Sequence, residues 1–152
     1  MEKLEIKAAL LGKVRELIDQ KIAVSQKLMN DAQESANNET KSSAGDKFET
    51  GRAMMHMERD KNAQVLSEAK KLEMFLNQIK PDREYDQVAF GSVVETSFGN
   101  YFISIAAGRI VVDEKKYFAI SPQAPLAKEM MRKKVGDTVM FNDKSLKIVN
   151  VY

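Results

Sequence analysis

Two long segments with helical periodicity, separated by a short polar stretch, constrain the fold of this chain more than any other feature. The first, residues 4–37, contains no proline and predicts one amphipathic helix. Its apolar residues recur at spacings of three and four, which places them on one helical face. They are Leu10, Val14, Leu17, Val24 and Leu28, flanked by Leu11, Ile18, Ile22 and Met29.

The second segment, residues 46–79, predicts a helix of matched length with a heptad pattern. Its apolar positions are Met55, Val65, Ala69, Leu72, Leu76 and Ile79. Two such helices joined by a short polar segment fold back on each other. We therefore predict an antiparallel coiled-coil hairpin over residues 1–80, with an acidic tip near residues 42–50.

After Pro81 the sequence changes to short runs of β-branched and aromatic residues punctuated by glycine, which predict strands. The predicted strands are residues 88–90, 93–96, 101–105, 117–120, 138–141 and 146–151. A single helix is predicted from Pro125 to Lys134, because proline suits a first helical turn. The fold class is thus α+β, with a mostly antiparallel β-sheet domain over residues 81–152.

Composition excludes several classes of function. The 152 residues include no cysteine and one histidine, His56, so thiolate zinc sites, cysteine nucleophiles and multi-histidine metal sites are excluded or implausible. No apolar run reaches the roughly 18 residues that span a bilayer, and the N-terminus does not resemble a secretory signal, so we expect a cytoplasmic location. The net charge of +2 argues against a general nucleic-acid-binding protein.

Charge is unevenly distributed along the chain. Residues 31–49 hold five acidic and two basic residues, whereas residues 128–134 hold four basic residues and one acid. The second run is either a solvated helix face or a docking surface for an acidic partner. The sequence alone leaves both interpretations open.

Asp46 and Glu49 lie between the two predicted helices. Their spacing is that of a capping box, in which Asp46 caps the second helix and Glu49 bonds back to it. The same two carboxylates could instead complete a magnesium site, because Mg²⁺ often takes one or two protein carboxylates together with substrate phosphates. The two interpretations are compatible.

A further motif lies in residues 120–128 (Ile-Ser-Pro-Gln-Ala-Pro-Leu-Ala-Lys) and 133–137 (Lys-Lys-Val-Gly-Asp). These residues are similar to the C-terminal signature of the Gre family of bacterial transcript-cleavage factors, which the chain resembles over nearly its whole length. That signature consists of Ile-Ser, Ser-Pro-Leu, a basic helix and Gly-Asp before a strand. The tip, Gly45-Asp46-x-x-Glu49, is similar to the family motif Gly-Asp-Leu-x-Glu-Asn.

The resemblance implies an FKBP-like C-terminal domain that docks on RNA polymerase while the coiled coil enters the secondary channel. Asp46 and Glu49 would then share a magnesium ion with the polymerase active site, which cleaves the backtracked RNA 3′ end. The protein would be a monomer that assists an enzyme, is not one itself, and holds no metal when alone. The docking residues implied are Ala124, Pro125, Leu126, Lys128, Arg132, Lys133 and Lys134.

Lys47, Thr50 and Arg52 differ from the tip motif of that family. Two alternatives therefore stay open. One is a channel-binding regulator that competes or inhibits without stimulating cleavage, and the other is a coiled-coil interaction protein with a repurposed β-domain. An FKBP-type isomerase is disfavoured, since the β-domain contains no tryptophan.

Overall fold

A computed structural model of the protein describes the backbone of residues 1–39 and 45–152 and the side chains of residues 1–38 and 50–152. The chain divides into two compact units. One combines Met1–Leu17 with Met74–Tyr152, and the other is Ile18–Glu73. The predicted domain boundary at residue 80 is not tested by this division and stays a prediction.

Two long helices form the N-terminal half, as predicted: α1 spans Lys3–Glu39 and α2 spans Gly45–Asn77. Arg15 of α1 donates to the Asn77 side chain (2.7 Å), and Gln33 of α1 accepts from Arg59 (2.7 Å). As the residue number rises along α1, from 15 to 33, the number of the contacting residue in α2 falls, from 77 to 59, so the helices run antiparallel. This confirms the predicted hairpin.

Small residues contribute to the contact between the helices in the unit Ile18–Glu73, where all described residues are helical and the larger Ile18 and Leu66 are buried as well. Ala32 and Ala36 of α1 are buried there, whereas Val24 is 57% and Leu28 44% exposed. The prediction that Val24 and Leu28 lie on the packed face is therefore wrong. Alanine lets two helix backbones approach closely, so the larger side chains lie at the edge of the contact.

A six-stranded sheet follows, with strand order β3-β4-β2-β1-β6-β5. The strands are β1 Val93–Thr96, β2 Asn100–Ile103, β3 Gly108–Val112, β4 Lys115–Ile120, β5 Thr138–Phe141 and β6 Lys144–Val151. All pairings are antiparallel except β2 with β4, which is parallel. The α+β class and the mostly antiparallel sheet are confirmed.

Three local predictions are wrong. Residues 88–90 form no strand, and strand β3 was not predicted. The helix α3 spans only Pro125–Met130, because Met131 is extended (φ −54°, ψ 133°) and Arg132 has a positive φ of 68°. The backbone therefore leaves the helix four residues before Lys134.

The first 17 residues of the chain, which include the start of α1, belong to the same compact unit as the sheet and contact its β3 edge. The N-terminal amine forms an ion pair with Asp113 (3.4 Å), and Lys13 Nζ donates to the carbonyl oxygen of Val111 (2.5 Å). Leu10 and Val14, on the same stretch of α1, are fully buried. Within the described part of the chain, no helix has an apolar run long enough to cross a membrane.

Candidate docking surface

The segment with the C-terminal signature begins in a serine turn and continues into α3. Ser121 Oγ accepts from the Gln123 N–H (3.1 Å), and the Ala124 N–H donates to the Ser121 carbonyl (3.0 Å). Pro125 is the first residue of α3, where its missing N–H leaves no helical bond unmade. Ala127 and Met130 are completely buried and anchor the helix on the hydrophobic core.

The residues after α3 are held by backbone hydrogen bonds to the loop around Val88. The Arg132 N–H donates to the Val88 carbonyl (2.9 Å), and the Val88 N–H donates to the Lys133 carbonyl (2.9 Å). The Lys134 N–H donates to Asp137 Oδ2 (2.8 Å), which closes a turn. The backbone of this segment is therefore fixed at three successive residues.

Four basic side chains project from this segment, and we call them the basic cluster: Lys128, Arg132, Lys133 and Lys134. All four are exposed. The ion pairs among the described residues, Met1–Asp113 and Arg59–Asp60, do not involve the cluster. These positive charges are thus presented to solvent on a fixed backbone, as a docking surface requires.

The three apolar residues predicted to dock differ in their surroundings. Pro125 is exposed, whereas Ala124 and Leu126 are half-buried. Ala124 packs against the core, and Leu126 both packs against the core and lines a neighbouring groove. The structure therefore brings all seven predicted docking residues into one segment.

The groove beside Leu126 has a volume of about 240 Å³ and was not predicted. Its lining residues are Phe98, Tyr101, Leu126, Phe141, Asn142, Lys144 and Leu146. Burial raises the pKa of Tyr101 above its ordinary value of 10.0, so this hydroxyl stays neutral at physiological pH. The one sequence signal for the groove is the number of aromatic residues in the strand patterns, since its residues come from four separate segments.

Asp46 and Glu49, the predicted magnesium ligands and catalytic helpers, lie outside the residues whose side chains are described. Further along α2, Arg52 Nε donates to His56 Nε2 (3.4 Å). Both interpretations of the two acids, a helix cap and a metal site, stay predictions.

No protein-family model matches this sequence. No curated protein sequence matches it either. Among solved structures, the chain is similar to one described as the structure of the transcription factor Gfh1. The two share 16% sequence identity and a TM-score of 0.35, over 90% of this chain and 92% of that chain.

Proposed function

We propose that this protein is a transcription factor that binds bacterial RNA polymerase through residues 124–134 and inserts its helical hairpin into the secondary channel. The observation that carries the proposal is the basic cluster, four exposed cations on a backbone that is fixed by hydrogen bonds to Val88. The signature residues of the resemblance lie in this same segment.

The construction of the docking segment supports this role. Its apolar residues Ala127 and Met130 enter the core, while its charges point outward. A surface with one sign of charge steers association with a partner of the opposite sign and fixes its orientation. The proposed partner surface on the polymerase is therefore acidic.

The hairpin supports entry into a narrow channel. In the unit Ile18–Glu73 the buried side chains of α1 are Ile18, Ser25, Ala32 and Ala36, and the last three are small. Small residues at a helix contact bring the two axes close together. A closely packed pair of helices has a small cross-section, which suits insertion into the secondary channel.

We propose further that Asp46 and Glu49 act in the polymerase active site, where they share a magnesium ion and promote cleavage of backtracked RNA. Two-metal phosphoryl chemistry needs carboxylates that hold the second ion and orient the attacking water. The protein would thereby assist the polymerase without catalysing a reaction alone.

Neutralising the basic cluster tests the docking step. The triple variant Lys128→Gln/Lys133→Gln/Lys134→Gln leaves Arg132 in place, because its positive φ complicates substitution. Its matched control, Lys80→Gln/Lys115→Gln/Lys147→Gln, removes three exposed charges elsewhere. Exposed ion pairs contribute about 0.2–1 kcal/mol each, so we expect about three- to hundredfold weaker polymerase binding in the first variant alone. Equal binding by both variants, measured by biolayer interferometry, would reject this docking surface.

The cleavage step is tested by Asp46→Asn and Glu49→Gln in stalled elongation complexes. Asparagine caps a helix about as well as aspartate but is a poorer ligand for Mg²⁺. We expect unchanged thermal stability and loss of cleavage stimulation. Full cleavage by Asp46→Asn would refute the metal role. A wild type that competes with another channel factor but stimulates no cleavage would establish the regulator alternative instead.

A further inference from the structure

Arg109, Phe118 and Tyr101 form a row across one face of the sheet, on strands β3, β4 and β2. This face is exposed at Val111 of β3 and Phe118 of β4 and buried at Ile103 of β2. Arg109 of β3 is paired directly with Phe118 of β4, and Phe118 is paired directly with Tyr101 of β2. Directly paired residues share a face of the sheet, and neighbouring strands are about 4.8 Å apart. The three side chains therefore lie side by side, perpendicular to the strands.

The rings of Phe118 and Phe98 are exposed, whereas Tyr101 is half-buried and packs against the hydrophobic core, so only part of its ring is accessible. Phe118 is 40% exposed, and its ring centroid is 6.1 Å from that of Tyr101 at an angle of 34°. Tyr101 also lines the groove described above, whose other wall includes Phe98, a side chain that is 57% exposed. The rings of Phe118, Tyr101 and Phe98, which we call the stacking row, thus continue from the sheet face into the groove.

Positive charge accompanies the stacking row. Arg109 stands beside Phe118, Lys116 lies on the same face two residues before it, and Lys144 Nζ is 5.2 Å from the ring centroid of Phe98. Strand alternation places seven residues of β2, β3 and β4 on this face, and none is acidic: Tyr101, Ile103, Arg109, Val111, Lys116, Phe118 and Ile120. Ile103 is fully buried and Tyr101 and Ile120 are half-buried, so the exposed part of the face is formed by β3 and β4. The residue that precedes Lys144 in the sequence, Asp143 of the β5–β6 turn, is acidic.

We propose that this face binds single-stranded nucleic acid, with bases stacked on the stacking row and phosphates paired with Arg109, Lys116 and Lys144. Exposed rings beside cations are the elements that bind unpaired strands, because every base has an aromatic face. An acidic peptide is the less suitable ligand, because extended peptides add to a sheet edge, whereas Phe118 and Tyr101 present their rings on the face of the sheet, on β4 and β2. The small net charge of the chain is compatible with this site, because the three cations are local.

The test uses the full-length protein and a fluorescein-labelled single strand of about 12 nucleotides, in RNA and DNA forms, measured by fluorescence anisotropy. Phe118→Leu and Phe98→Leu keep an apolar side chain but remove the planar ring. Loss of one stacked base predicts at least about fivefold weaker binding for each. Met140→Ala is the control, since Met140 is 63% exposed and alternation along β5 places it on the opposite face from Phe141.

The salt dependence tests the phosphate contacts separately. Three neutralised phosphates predict a slope of log K against log salt of about −2, and Arg109→Gln or Lys116→Gln should each reduce its magnitude by about 0.7. Lys147→Gln, an exposed lysine on the opposite face from Leu146 and Ile148, should leave the slope unchanged.

Four results would overturn the proposal: no binding of either strand, equal binding of a duplex, leucine variants that bind like the wild type, or a poly-glutamate peptide that displaces the strand equally from the wild type and the leucine variants. Preference for RNA over DNA would identify the natural strand. Polymerase binding is measured independently, so failure here leaves the docking proposal unaffected.

Discussion

The ammonium group of Lys7 is buried in the interior of the unit that contains the sheet, and this makes stability depend on pH. The residue has 0% exposed surface. Its Nζ donates to the Arg83 carbonyl (2.6 Å) and lies 4.8 Å from the centroid of the Tyr85 ring. The pKa of Lys7 is lowered from 10.5 to about 8, chiefly by burial; the Glu84 charge opposes this change and the Arg83 charge contributes to it. Folding therefore disfavours the charged form of this lysine.

The sign of the effect follows from proton binding. Below about pH 8 both the folded and the unfolded chain hold the proton, and the folded state bears the cost of a buried charge. Between about pH 8 and 10.5 the unfolded chain keeps the proton and the folded chain loses it, so the free energy of unfolding rises with pH. The full change is about 3 kcal/mol, and about 2 kcal/mol of it is reached by about pH 9.5.

Urea denaturation of the wild type and of Lys7→Met between pH 7 and about pH 9.5 measures this linkage. Methionine fills a similar volume without a charge, so the rise of about 2 kcal/mol should disappear in the variant. The control is Lys13→Met, an exposed lysine on the same helix, which should retain the rise. The measurement stops below pH 10 because burial raises the pKa values of Tyr101, Tyr117 and Tyr152, which opposes the effect at higher pH. Parallel curves for the wild type and Lys7→Met would refute the reasoning.

Three further substitutions test the packing, a buried turn and a strained backbone. Ala36→Leu, at a position only 1% exposed, should lower the free energy of unfolding by about 1–3 kcal/mol in urea, whereas Val24→Leu, at a 57% exposed position, should not. An unaffected Ala36 variant would mean that the helices do not pack there. Thr96→Val removes the oxygen that accepts from two backbone N–H groups of the following turn, and should cost about 1–3 kcal/mol in thermal denaturation. Thr96→Ser keeps the oxygen, and an equal loss in both variants would exclude the hydrogen bonds as the cause. Gly136→Ala should cost about 1–2 kcal/mol, because φ is +94° with nothing within 4 Å of an added Cβ, so that backbone strain alone acts. Gly12→Ala in α1 should instead stabilise by up to about 1 kcal/mol, and the same sign for both glycine variants would contradict this account.

The helices could be predicted from sequence because their signals are local. The absence of proline, the periodicity and the Pro81 stop together placed every end of α1 and α2 within two residues of the observed bounds. The packed face was predicted less well. Residues at the edge and the centre of a helical contact differ by a small rotation, and which of them is buried depends on the other helix. Val24 and Ala32 show the difference, because the smaller side chain is the buried one.

The strands were predicted less well than the helices, because whether a segment forms a strand depends on its pairing with distant segments and not on local sequence alone. Val88 is fully buried and apolar, as a strand residue would be. Its backbone hydrogen bonds go to Arg132 and Lys133, which follow α3 and belong to no strand, so Val88 does not join the sheet. The next residue, Ala89, bonds to a side chain and not to a strand: Ser92 Oγ accepts from the Ala89 N–H and donates to the Ala89 carbonyl. In β3 burial alternates but the sequence does not, because the exposed Val111 between buried Ile110 and Val112 is itself apolar.

The two candidate surfaces differ in the same way. The basic cluster lies within one segment of the chain, so its four charges could be recognised in the sequence before any fold was known. The stacking row depends on a parallel pairing between β2 and β4, which no local pattern specifies, and on a turn between β5 and β6 that brings Lys144 to Phe98. Phe118 is 17 residues from Tyr101 and 20 residues from Phe98 along the chain, and it becomes their neighbour only through the register of the sheet. A one-residue slip of β4 against β2 would place Phe118 on the opposite face and remove the row. The binding measurements on Phe118 and Phe98 therefore test the register of the sheet together with the site that it creates.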